Sequence, residues 1–144
     1  MENKKNILAL DLGISTGWAS DTSSGSYSVA KYKDHGERLN QWQLWLDWLL
    51  TLERPSVVVF ELPIFVRGSE GWIFKQAGAL ERLCWIQNQS IIGVSNTAWK
   101  KKVCGHGHAP KAEIRRITGI QQQDEADARG IWLWATNRAT VCDQ

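Results

Sequence analysis

The chain has 144 residues, 43% of them apolar and 22% charged, with a formal charge of +2. That suits one compact domain with a real core and excludes wholesale disorder. No apolar run approaches the ~20 residues a membrane-spanning helix needs, and the charge is too mild to prove or exclude a nucleic-acid partner. Lys5 to Asp11 reads as a short buried strand, with Ile7, Leu8, Ala9 and Leu10 in a row before a carboxylate. Asp11 to Gly17 reads as a tight glycine-bearing turn. Trp18-Ala19-Ser20 and Ser26 to Lys33 read as two further strands joined at Asp21 to Gly25, giving an antiparallel meander. Arg38 to Glu53 is the clearest helix: Leu39, Trp42, Leu46 and Leu49 recur at helical spacing opposite a polar stripe, and Pro55 stops it. Val57-Val58-Val59-Phe60 suits a strand buried on both faces, ending at Glu61.

Ser69 to Gln87 reads as a second helix, with Ile73, Ala77, Leu80 and Cys84 on one face, and Ile91 to Val94 as a strand. Asn96 or Thr97 would cap a short helix carrying Trp99-Lys100-Lys101-Lys102. Pro110 suits the first position of another helix through Ile117, and Asp124 opens a last helix to about Ala139. The order βββ-α-β-α-β-α-α-α predicts a mixed sheet with helices packed on it. Three cysteines without paired spacing, and an N-terminus unlike a secretory leader, place the chain in a reducing cytoplasm.

Two strands end in a carboxylate, Asp11 and Glu61. The first strand of a meander and the strand after a right-handed crossover can pair in parallel, which would set these acids side by side. Asp124 and Asp127, three apart, share a helical face that Ile131 and Trp134 continue, while Glu125 points elsewhere. Close carboxylates repel unless a cation or proton intervenes. Four acids without a neutral ligand suit hard cations such as Mg²⁺ or Mn²⁺. Each acid also has a plainer role. Aspartates in a helix's first turn satisfy free N–H groups and the dipole, and Asp before glycine is ordinary turn chemistry. Glu61, closing a doubly buried strand, is the hardest to explain that way.

Lys100, Lys101, Lys102, Lys111, Arg115 and Arg116 lie in one stretch whose only acid is Glu113. With the four acids neutralised by metal, the formal charge would rise from +2 by four, a fair footprint for a phosphate backbone; a solvated lysine face is the alternative. Cys104 and Gly105-His106-Gly107-His108 lack the second ligand pair a zinc site needs. Among aromatics near Glu61, Trp72 and Phe74 suit core or interface, and Phe65 suits either these or stacking on unpaired bases.

Asp11-Leu12-Gly13-Ile14-Ser15-Thr16-Gly17, Phe60-Glu61, the Lys100 to Lys111 segment and Asp124-Glu125-Ala126-Asp127-Ala128 resemble, in order and rough spacing, the RuvC-type Holliday junction resolvases of the ribonuclease H-like, retroviral-integrase superfamily, in the compact form carried by phages and prophages. The resemblance spans Ile7 to about Ala135. It implies an α/β, ribonuclease H-like mixed five-stranded sheet flanked by helices, with residues 1–144 forming a single nuclease domain. It also implies a homodimer and paired Mg²⁺-dependent cuts in branched DNA leaving 5′-phosphate and 3′-hydroxyl ends. Asp11, Glu61, Asp124 and Asp127 match the family's catalytic acids, holding two Mg²⁺ per site with Mn²⁺ able to substitute. Lys100 and Lys111 match its lysines near the scissile phosphate, and Phe65 its junction-entering aromatic. Lys100, Lys101, Lys102, Lys111 and Arg115 would meet DNA. The rivals are a less selective flap or RNA–DNA hybrid nuclease of the same fold and a junction-binding protein that does not cut. An actin-like ATPase also shares the glycine loop, but its two large lobes exceed 144 residues.

Overall fold

The computed structural model describes residues 6–64 and 71–137. Three strands come first: β1 (Ile7–Asp11), β2 (Ser15–Ala19) and β3 (Ser24–Ser28). There follow α1 (His35–Glu53), β4 (Val57–Glu61), α2 (Trp72–Ile86), β5 (Ser90–Val94), α3 (Asn96–Cys104), α4 (Lys111–Thr118) and α5 (Gln123–Ala135). The sheet order is β3-β2-β1-β4-β5. The meander pairs are antiparallel and the β1–β4 and β4–β5 pairs parallel. This is the mixed five-stranded sheet the sequence predicts.

Several boundaries move, for physical reasons. β2 begins at Ser15, inside the segment read as a turn, and β3 ends at Ser28 rather than Lys33. Gly17 is therefore a strand residue, paired with Asp11. α1 starts three residues early because Asp34 caps it, accepting from the Glu37 amide. Ser95 caps α3, and Pro110 occupies the cap position of α4 rather than its first turn. Gln122, accepting from the Glu125 amide, opens α5, so Asp124 lies within the first turn and does not cap it.

Strand alternation divides the core in two. Leu8, Leu10, Val58 and Phe60 face α1 and α2, meeting Trp42, Leu46, Leu49, Leu80 and Cys84. Ala9, Ala19, Val57, Val59 and Val94 face α3, α4 and α5, meeting Trp99, Val103, Ile114, Ala128 and Ile131. In β1 and β2 this face carries the small residues Ala9, Gly17 and Ala19 and so admits a helix at close range. Closest is the start of α5: a Cβ on Gly17 would overlap the Asp124 carbonyl. The β1–β2 connection is pinned from the opposite face. There Gln76 Nε2 donates to the Gly13 carbonyl at 2.8 Å, and Trp42 Nε1 donates to Thr16 Oγ1 at 2.9 Å.

Candidate active site

Parity and register build the site. Asp11 continues the Ile7-Ala9 row of β1, and Glu61 the Val57-Val59 row of β4, so both carboxylates lie on the face that α5 covers. Leu10 pairs with Phe60 in the parallel ladder, which sets Asp11 beside Glu61 one residue further on. The first turn of α5, seated on Gly17, brings Asp124 and Asp127 over them. A cleft of about 150 Å³ lined by Asp11, Leu12, Glu61, Leu62, Pro63, Ile64 and Ile73 opens beside the pair.

The electrostatics follow from that convergence. Burial, then Asp127, Glu61 and Asp124 in turn, push the Asp11 carboxyl well above its ordinary range, with Lys100 opposing. Asp127 is pushed up to about 6, chiefly by burial, against the Gln123 hydrogen bond and Lys100. Among the described residues no hydrogen bond reaches the Asp11 carboxylate. The other three acids are held by neutral donors. Glu61 Oε1 accepts from Asn96 Nδ2 and from Trp99 Nε1, each at 2.7 Å. Asp127 Oδ1 accepts from Gln123 Nε2 at 2.7 Å, and Asp124 Oδ2 from Gln122 Nε2 at 3.1 Å.

A cluster of oxygen donors whose most buried member is destabilised as an anion fits a hard divalent cation, which would repay both burial and repulsion. Among the described residues no three carboxylate, imidazole or thiol groups already stand ready to grip an ion jointly. Closing on a metal therefore asks for side-chain rotation, and Asp124 and Asp127 each have a hydrogen bond to a glutamine, Gln122 and Gln123, to rearrange.

The basic residues separate. Lys100, on the first turns of α3, is close enough to ease the ionisation of Asp11 and Asp127. Lys101 and Lys111 are exposed on α3 and α4. Lys102 is turned away, donating to the Trp134 carbonyl and to Asn137 beside a cavity that includes Ile7 and Val57, at the strands' opposite ends. Arg115 is half-buried and gives Nη1 to Gln123 Oε1 at 2.6 Å, so it braces the glutamine that holds Asp127. Phe65 lies outside the described residues. Glu125 does point away, accepting from Ser24 Oγ at 2.6 Å. His106 pairs with Glu113 at 3.1 Å. Trp72 is buried and Phe74 exposed.

Asn96, Trp99, Gln122 and Gln123 were not among the sequence candidates for the site. Polar and aromatic types in a helix's first turn carry no mark of what they reach; only Glu61's need for partners hinted at a donor.

No family model matches the chain, and no curated protein matches it. Solved structures do. The chain is similar to Thermus thermophilus RuvC in complex with Holliday junction substrate, with a TM-score of 0.76 and 20% identity over 96% of this chain and 97% of that one. It is similar to the yeast mitochondrial Holliday junction resolvase Ydc2, at 0.61 and 14% over 99% and 84%. It is also similar to the Fowlpox virus resolvase in complex with substrate Holliday junction DNA, at 0.59 and 15% over 92% and 97%. The chain has the ribonuclease H-like fold of these proteins. Among the described residues no helix is long and apolar enough to cross a membrane.

Proposed function

We propose that the protein is a divalent-metal-dependent endonuclease that cuts Holliday junctions or closely related branched DNA. The observation that supports this most is the meeting of four acids from three distant segments at the carboxyl ends of β1 and β4, within a fold shared with junction resolvases. Asp11, Glu61, Asp124 and Asp127 would hold the metal, Mg²⁺ by preference and two ions per site, with Mn²⁺ able to substitute. When bound, the metal supplies a water activated at neutral pH and charge compensation for the departing 3′ oxygen.

The chain's own residues do the rest. Asp11, costly to keep as a bare anion, would give up its proton to solvent when a cation takes its place. Lys100, beside the acids, offsets charge that develops on the scissile phosphate. Lys101, Lys111 and Arg116, exposed on α3 and α4, take the flanking backbone. Two copies related by a two-fold axis would set symmetric cuts across a junction and leave 5′-phosphate and 3′-hydroxyl ends.

The test is a nicking assay on a strand-labelled synthetic mobile four-way junction, with a flap and an RNA–DNA hybrid run alongside, with and without Mg²⁺. Paired, Mg²⁺-dependent nicks on the junction are expected. Preferential hydrolysis of the hybrid, or junction binding without cleavage in both Mg²⁺ and Mn²⁺, would overturn the reading.

A further inference from the structure

Among the described residues, three of the four acids are held through a single oxygen, and only Glu61 is held by two donors at once. Its Oε1 accepts from the Asn96 amide and the Trp99 indole, each at 2.7 Å. A carboxylate oxygen has about two lone-pair directions, so these two bonds fill Oε1. No described residue donates to Oε2.

The clamp is rigid. Asn96 and Trp99 are three apart on the first turn of α3, on one face, and Ser95 caps that turn by accepting from the Ala98 amide. Trp99 is fully buried, and its ring lies against Gly130 of α5, where a Cβ would collide with it. The indole therefore cannot swing away while α5 is seated. Asp124 and Asp127 each have one glutamine donor, and Asp11 has none among the described residues.

We propose that Asn96 and Trp99 are positioning residues that reserve Glu61 as a one-oxygen metal ligand, and thereby make the site favour Mg²⁺ over Ca²⁺. This rests on the metal-dependent reading above. Ca²⁺ readily takes a carboxylate through both oxygens in a loose shell of six to eight donors, whereas Mg²⁺ demands a tight octahedron and takes carboxylates through one. With Oε1 filled, the two-oxygen mode is denied and the mode that suits Mg²⁺ remains.

The experiment uses the full chain without DNA. Mg²⁺ and Ca²⁺ are titrated separately by calorimetry into the wild type, Asn96→Ala, Trp99→Phe and Glu61→Gln, and indole N–H signals are followed by ¹H–¹⁵N NMR. In Asn96→Ala and Trp99→Phe, Mg²⁺ affinity is expected to fall about tenfold. Ca²⁺ affinity should hold or rise, so the Mg²⁺/Ca²⁺ ratio collapses. The indole signal that Trp99→Phe removes should shift in the wild type as Mg²⁺ is added. An unchanged ratio, whether both affinities hold or both fall together, would overturn the proposal. Asn96 is only half-buried, so its variant decides the matter even if Trp99→Phe does not fold. If the wild type binds neither ion and Glu61→Gln matches it, the metal-dependent reading itself fails. That outcome is distinct from intact binding with an unaltered ratio.

Discussion

Asp11 carries the largest electrostatic burden among the described residues. It ends a buried strand, three other acids face it, and no described donor relieves it. Asp11→Asn and Glu61→Gln should each lower junction cleavage by on the order of 10³-fold or more, with junction binding retained. Mg²⁺-dependent nicking near the wild-type rate, on the labelled junction, would refute their role. The same burden sets the pH dependence of stability. Asp11 and Asp127 hold protons more tightly when folded than when unfolded, Asp127 with a folded pKa of about 6. The metal-free fold therefore binds more protons than the unfolded chain as pH rises from about 4, and stability falls with rising pH. Thermal melts in chelator should give a lower Tm at pH 8 than at pH 5. Mg²⁺ should raise the pH 8 value, and Asp11→Asn should flatten the slope.

At the scale of elements, the decisive contact is α5 on β2. Gly17 lies in a strand, where a side chain would be normal, yet a Cβ there overlaps the Asp124 carbonyl. Gly17→Ala should cost about 1–3 kcal/mol through overpacking. It should also cut cleavage sharply by lifting Asp124 and Asp127 away from the strand ends, read as a lower melt together with a lower nicking rate. Gly78 is the contrasting case. It sits mid-helix in α2, exposed, with nothing near its missing Cβ. Gly78→Ala should stabilise by about 0.5–1 kcal/mol, with nicking unchanged. The sequence places Gly17 in a turn; only the packing tells its close approach to α5 from the open helix position of Gly78.

At the scale of the whole molecule, the +2 charge says nothing of where the charges lie. Four acids gather at one end of the sheet with Lys100 close by, and Lys101, Lys111 and Arg116 are exposed on α3 and α4. Lys111→Ala should weaken junction binding at all sequences and lower its log–log salt slope by about 1. Binding titrations at several salt concentrations check this, and an unaltered slope would remove Lys111 from the phosphate contacts. Lys102→Ala, whose ammonium is spent on the far end of α5, should leave the slope as it is.

The sequence by itself determined the order of elements, the meander and the strand-terminal placement of Asp11 and Glu61. It also determined the shared helical face of Asp124 and Asp127. These follow from periodicity and local turn chemistry, which act over a few residues and are written along the chain. Tertiary structure alone decided the rest. It made Gly17 a helix seat, sent Lys102 away from the acids, and turned Arg115 onto Gln123. It also gave Glu61 to Asn96 and Trp99, 35 and 38 residues away. A hydrogen bond between residues so far apart leaves no local pattern, because either partner alone fits its own helix or strand equally well without the other.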